Sequence, residues 1–135
     1  MSRFVWPARV YWEDTDAGGV VYYANYLRFL ERARTEWLRA RGHAQATLAA
    51  DAGVLFSVVE VGIQYRRPAR LDDLLLVSCE PKLDGAASVI FTQQIHRGGE
   101  HSELLAEATV RVACVSATSF RPRRLPPALV REFGR

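Results

Sequence analysis

The sequence predicts an α+β fold in which a curved antiparallel sheet of about five strands wraps around one long central helix. Two observations carry this. Tyr26, Leu27, Phe29, Leu30, Ala33, Trp37 and Leu38 recur at helical spacing, and such a period marks a long amphipathic helix. One strand-like stretch precedes that helix and four follow it, separated by short turn signals. Strands joined by tight turns pair antiparallel, because a parallel pair needs a long crossover. At 135 residues the chain is long enough for one core, and residues 1–135 read as a single domain.

The first strand is expected over Phe4 to Trp12, with Phe4, Trp6, Ala8, Val10 and Trp12 on one side and Pro7 placing it near an edge. The helix is expected to begin between Val21 and Asn25 and to stop at Gly42 as a C′ glycine. Its apolar arc is wide, which predicts burial on more than one side. Arg28, Arg32 and Glu36 follow at i, i+4 steps, and Glu31 lies within reach of Arg28 or Arg34. Ala44 to Asp51 reads as a short second helix closed at Gly53. Val54 to Arg66 then places Leu55, Val59, Val61, Ile63 and Tyr65 on one face. Leu74 to Leu83 and Ser88 to His96 flank the hairpin signal Asp84-Gly85, and Gly98-Gly99 turns the chain again. Leu104, Ala106, Ala108, Val110, Val112 and Cys114 alternate in the last strand, its small residues expected to let the helix lie close. Arg121 to Pro127 reads as an irregular exit to a short terminal segment.

Charge is unevenly placed. The net charge is +3, yet from Phe120 onward there are five arginines against Glu132 alone, so the rest of the chain is slightly acidic. That distribution excludes a nucleic-acid face spread over the fold and suits a local encounter with phosphates, an acidic carrier protein or a membrane surface. No apolar run is long enough to span a bilayer, and MSRFVWPARV lacks the apolar core of a signal peptide; a cytoplasmic protein without an integral membrane segment is expected. Cys79 and Cys114 show no metal or redox spacing and read as reduced core residues. His43, His96 and His101 show no metal-ligand spacing, and Ser57, Ser78 and Ser88 lie in no nucleophile elbow.

The chemistry concentrates in Glu13 to Gly42, EDTDAGGVVYYANYLRFLERARTEWLRARG. Asp14 and Asp16 offer carboxylates, Gly18 and Gly19 allow close backbone approach, and the following helix start supplies unpaired N–H groups. A pair of acids before a helix is usually a turn or cap, and Asp14 is assigned that role. Tyr22 and Tyr26 read as packing residues, Asn25 as a structural hydrogen-bonding residue, and Glu31 and Glu36 as partners of nearby arginines.

The run RVYWEDTDAGGVVYYANYLRFLERARTEWLR resembles the signature of hotdog-fold acyl-CoA thioesterases, closest to the Tol–Pal-associated bacterial branch and also similar to the 4-hydroxybenzoyl-CoA thioesterase group. YRRPARLDDLL, FTQQIHR, AEATVRVACV and RPRRLPP continue the resemblance through almost the whole chain. It implies that Asp16 is the catalytic carboxylate, that the backbone N–H at or near Tyr23 polarises the thioester carbonyl, and that Gly18, Gly19 and Val20 line the substrate. Many Tol–Pal-associated members carry histidine where this chain has Tyr23; the hydroxybenzoyl group, like this chain, has tyrosine. The implied reaction is hydrolysis of an acyl-CoA or acyl-carrier-protein thioester, with Asp16 as general base or nucleophile and no metal or redox cofactor, CoA being part of the substrate. The competing reading is a non-catalytic acyl-thioester or partner-binding module of an envelope or lipid-synthesis assembly. A homodimer or homotetramer with shared sites is implied, CoA meeting Arg66, Arg97 and the Arg121–Arg124 cluster. A valine at Gly19 is expected to intrude on the substrate and damage activity more than stability.

Overall fold

The computed structural model describes residues 3–99 and 102–134; His101 lies outside them. Five strands form one antiparallel sheet in the order β1-β3-β4-β5-β2: β1 (Phe4–Arg9), β2 (Val54–Tyr65), β3 (Leu74–Leu83), β4 (Ser88–Arg97) and β5 (Glu103–Ser116). The long helix α1 (Tyr26–Ala40) crosses one face. It lies closest to β3 and β1 rather than against the alanines of β5. Ala106 and Ala108 are buried in the common core instead.

Tyr26, Phe29, Leu30, Ala33, Trp37 and Leu38 form the buried stripe of α1. Leu27, expected in the same arc, is exposed, so the helix is covered on one side only within this chain. Gly42 ends it at φ 85°: its N–H donates to the Arg39 carbonyl and the His43 N–H to the Leu38 carbonyl, both at 3.0 Å, the paired bonds of a Schellman motif. Glu36 pairs with Arg39, whereas Glu31 makes no ion pair among the described residues. Gln93, fully buried on β4, ties helix to sheet. Its amide donates to the Leu30 carbonyl at 3.0 Å and its oxygen accepts from Arg34 at 3.0 Å, so neither polar atom of this buried side chain is left open.

Three features depart from the alternation read in the sequence. β1 stops at Arg9, and Trp12–Asp14 form a 3₁₀ turn instead of its last residues. β2 bulges between Val58 and Glu60, so Val61, Ile63 and Tyr65 lie across from Val110, Ala108 and Ala106 on the helix side, while Leu55 pairs with Val115 on the other. β5 bulges opposite the Ile95/His96 step. Leu105 thereby becomes fully buried and Leu104 turns to the outer face with His96.

A short helix α2 (Gln45–Thr47) runs into a π turn at Leu48–Ala52, closed by Gly53 in the left-handed region at φ 68°. Residues 121–126 form the irregular exit expected, and the terminal segment beyond it is helical. Pro127–Phe133 form a helix, α3, with proline at its first turn. Phe133 stacks on Trp37 at 5.2 Å between centroids, with Phe56 and Phe91 edge-on to it at 6.1 and 6.0 Å. Cys79 and Cys114 are free and buried, as expected; burial pushes the Cys79 thiol up to about 12, which suppresses the reactive thiolate. No described helix is long and apolar enough to cross a membrane.

Candidate active site

Between β1 and α1 the chain makes a miniature hairpin. The Asp16 N–H donates to the Val20 carbonyl at 2.9 Å and the Tyr22 N–H to the Asp14 carbonyl at 3.0 Å, with Gly19 at φ 77° forming the tip. A second contact seats the hairpin on the loop after β2: the Val21 N–H donates to the Ala69 carbonyl at 2.8 Å, and the Ala69 N–H donates to the buried Tyr26 hydroxyl at 3.0 Å.

This geometry separates the two acids. Asp14 is 5% exposed and accepts from the Tyr11 N–H at 2.8 Å and the Asn25 amide at 2.9 Å. It is a structural anchor, and Asn25 is its partner. Asp16 is exposed at the hairpin tip, its Oδ1 accepting from the Gly18 N–H at 2.8 Å. One carboxylate oxygen is thus pinned, and the other has no partner among the described residues. A cleft of about 630 Å³ opens beside it, lined by Trp12, Glu13, Thr15, Asp16, Ala17, Gly19 and Leu71.

The helix entry is also arranged. Tyr23–Asn25 form a 3₁₀ turn before α1, and the Tyr22 carbonyl accepts the Asn25 N–H at 2.8 Å. Because N–H and C=O of one peptide point in opposite directions, that bond turns the Tyr23 N–H away from the helix, where it meets no acceptor among the described residues. The Tyr65 hydroxyl donates to the Tyr23 carbonyl at 2.8 Å and fixes the next peptide; burial holds its phenol above the ordinary value. Tyr23 does not line the Asp16 cleft. Tyr22 stands between the two. It is exposed rather than packed, and its phenol is raised first by Tyr23 and in smaller part by the negative charge of Asp16. The structural role expected of Asp14 is the one seen, through a bond back to Tyr11 three residues earlier, whereas the reach of Tyr65 to Tyr23 across 42 residues has no local sequence signal.

Glycine has two different uses here. A Cβ at Gly18 would stand 3.2 Å from Asp16 Oδ1, whereas one at Gly19 meets nothing within 4 Å. A side chain at Gly19 meets no described neighbour and stands at the cleft that this residue lines, so its cost to the fold itself is the positive φ. Gly19→Val should destabilise by about 1–2 kcal/mol, read by urea unfolding. Gly18→Ala should keep stability but lower kcat/KM roughly tenfold to a hundredfold by displacing the carboxylate. Equal losses of stability in the two variants would contradict this division.

The arginines divide as well. Arg66 is paired with Glu107 at 2.9 Å. Arg97 is held by Asp73, Glu103 and the Pro68 carbonyl. Arg67 and Arg70, on the loop that seats the hairpin, are exposed and have no ion pair or side-chain hydrogen bond among the described residues. The backbone N–H groups of Arg66 and Arg67 both donate to the carbonyl of the bulged Leu105, at 2.8 and 3.1 Å. The Arg121–Arg124 segment lies at the other end of the sheet, where Pro122 bridges Val115 and Arg123 donates to the Gly53 carbonyl. No described group of His, Cys, Asp or Glu could hold a metal ion.

Residues 10–133 match the thioesterase-like superfamily. The chain belongs to that family. It is 48% identical over 132 residues to the acyl-CoA thioester hydrolase YbgC of Escherichia coli O6:H1, covering 98% of this chain and 96% of that one. It is 44% identical to the acyl-CoA thioesterase YbgC of Haemophilus influenzae, covering 98% and 95%. A probable thioesterase from Bartonella henselae superposes with a TM-score of 0.86 at 37% identity over 93% of this chain and all of that one. The 1,4-dihydroxy-2-naphthoyl-CoA thioesterase Slr0204 of Synechocystis shares the fold at a TM-score of 0.89 and 24% identity, covering 98% and 96%. The α+β sheet-and-helix architecture is that of this hotdog-fold family.

Proposed function

We propose that this thioesterase-family member is a cytoplasmic enzyme that hydrolyses acyl-CoA thioesters to a free acid and CoA, with acyl-carrier-protein thioesters as an alternative substrate. The observation that carries the reading is the Asp16 carboxylate, exposed at the hairpin tip with one oxygen pinned by Gly18, in a chain similar almost end to end to acyl-CoA thioester hydrolases. The Tyr23 N–H, free of an internal acceptor, polarises the thioester carbonyl and takes up charge developing on its oxygen, a contribution of about 3 kcal/mol per donor. Asp16 removes a proton from the attacking water; the C–O bond forms, the C–S bond breaks and the CoA thiolate leaves to be protonated. The direct alternative has Asp16 attack the carbonyl, expel the thiolate and pass through a mixed anhydride that water then opens.

A second copy completes the site in this reading. β2 is a sheet edge, with Val58, Val59 and Val61 about half exposed, and bare apolar edges invite pairing. Two-fold pairing along β2 is antiparallel and carries the Val54 end of one copy toward the Tyr65 end of the other. The Arg121–Arg124 segment would then approach the partner's hairpin, joining Arg67 and Arg70 as candidates for the CoA phosphates. Arg66 and Arg97, already paired, serve the loop. A homodimer is the minimal unit, and the exposed α1 flank offers a further contact for a tetramer.

Two measurements test this together: free-thiol release over a panel of acyl-CoAs, and sedimentation equilibrium at micromolar concentration. Thioester cleavage by a species of at least twice 15.2 kDa is expected. A fully active 15.2 kDa species would refute the shared site, and binding of acyl-CoA without thiol release would point to a non-catalytic module.

A further inference from the structure

The cleft beside Asp16 has a chemical character that the reaction itself does not require. It holds two carboxylates, Glu13 and Asp16, and no basic side chain lines it; Glu13 makes no ion pair among the described residues. The same lining includes the large apolar side chains of Trp12 and Leu71. Trp12 is 80% exposed, an unusual position for so large an apolar side chain, yet its backbone is held firmly. The Trp12 carbonyl accepts both the Thr15 N–H at 3.1 Å and the Thr15 hydroxyl at 2.8 Å. The turn itself is anchored by buried Asp14 through the Tyr11 N–H.

We propose that the Trp12 side of this cleft receives the acyl group and that Trp12 and Glu13 select its class: apolar, uncharged acyl groups, with those ending in a carboxylate rejected. This deepens the thioesterase reading and rests on it. A thioester bound at Asp16 must send its acyl group one way and its CoA the other. The phosphates are repelled by the two carboxylates and attracted to Arg67 and Arg70, which have no ion pair among the described residues and stand toward the Leu71 side of the cleft, where Arg70 bridges Val20. The Trp12 side is therefore left to the acyl chain. There the indole offers a flat apolar surface that becomes buried when the site fills. Glu13, next to Trp12 in the chain and lining the same cleft, places a second negative charge beside the far end of a dicarboxylic acyl group, and like charges in a partly desolvated cleft repel.

The test compares esters of equal chain length, hexanoyl-CoA and adipyl-CoA, with benzoyl-CoA as a flat apolar third, in the full-length protein. The wild type should prefer hexanoyl-CoA and benzoyl-CoA. Glu13→Gln should raise kcat/KM for adipyl-CoA relative to hexanoyl-CoA by about five- to tenfold. Trp12→Ala should raise KM for the two apolar esters by about tenfold, with a smaller change in kcat. An unchanged adipyl-to-hexanoyl ratio in Glu13→Gln would overturn the assignment. So would a Trp12→Ala protein that loses mass in sedimentation while treating all three esters alike, since the indole would then be an interface residue. A wild type that cleaves none of the esters sinks the thioesterase reading as well, whereas cleavage without the charge dependence sinks only the selectivity.

Discussion

Asp16→Asn should lower kcat by roughly 10²- to 10⁴-fold, the range for loss of a positioned base, while the hairpin stays intact. The substitution keeps the side-chain oxygen that accepts the Gly18 N–H at 2.8 Å and removes only charge and basicity. Asp14 remains to anchor the turn through Tyr11 and Asn25, so thermal unfolding and substrate Kd should hardly move. Asp14→Asn should show the converse: with its oxygens committed inside the chain, the loss falls first on stability. Thiol release beside thermal melts for both variants checks the separation. A wild-type kcat in Asp16→Asn would end the catalytic assignment.

Phe133→Ala should be the most destabilising single change near the C-terminus, at about 3–5 kcal/mol. The ring is 2% exposed, stacks on Trp37 and receives the edges of Phe56 and Phe91. It therefore joins α1, β2, β4 and α3 in one aromatic cluster, and its removal leaves a void that four rigid elements cannot close. Urea unfolding measures the loss. A change under about 1 kcal/mol would mean that α3 contributes little to the fold, against the packing seen.

The sheet and central helix were legible because their signals are local. Gly42 and Gly53 stop helices where the chain needs a positive φ, and Asp84-Gly85 turns β3 into β4, with Ser88 bonding back to the Asp84 carbonyl at 2.6 Å. The turn that carries Asp16 was legible for the same reason, the acid standing two residues before a Gly-Gly step and shortly before the helix. What could not be read depends on residues brought together from afar. Arg66 and Arg97 look like free cations in the sequence, and only strand pairing brings Glu107, Asp73 and Glu103 against them. Arg67 and Arg70, which follow Arg66 in the loop after β2, meet no such partner among the described residues. Phe133 became core because α3 folds back onto Trp37, which a seven-residue segment opening on the second of two prolines does not announce. Leu55 and Leu104 were placed on the wrong faces because a bulge leaves no mark in an alternating pattern.

The bulge in β2 has a consequence for how the family can vary. Side chains along a strand behave like a parity: one residue more or less between Val54 and Tyr65 exchanges odd for even from that point on. The extra residue at Val59 sends Ile63 and Tyr65 inward and Gln64 outward, and only with that parity does the Tyr65 hydroxyl reach the Tyr23 carbonyl. An insertion or deletion far from Asp16 could thus silence the helix entry without altering a residue that faces substrate. Length changes in this strand should be tolerated in pairs and punished singly.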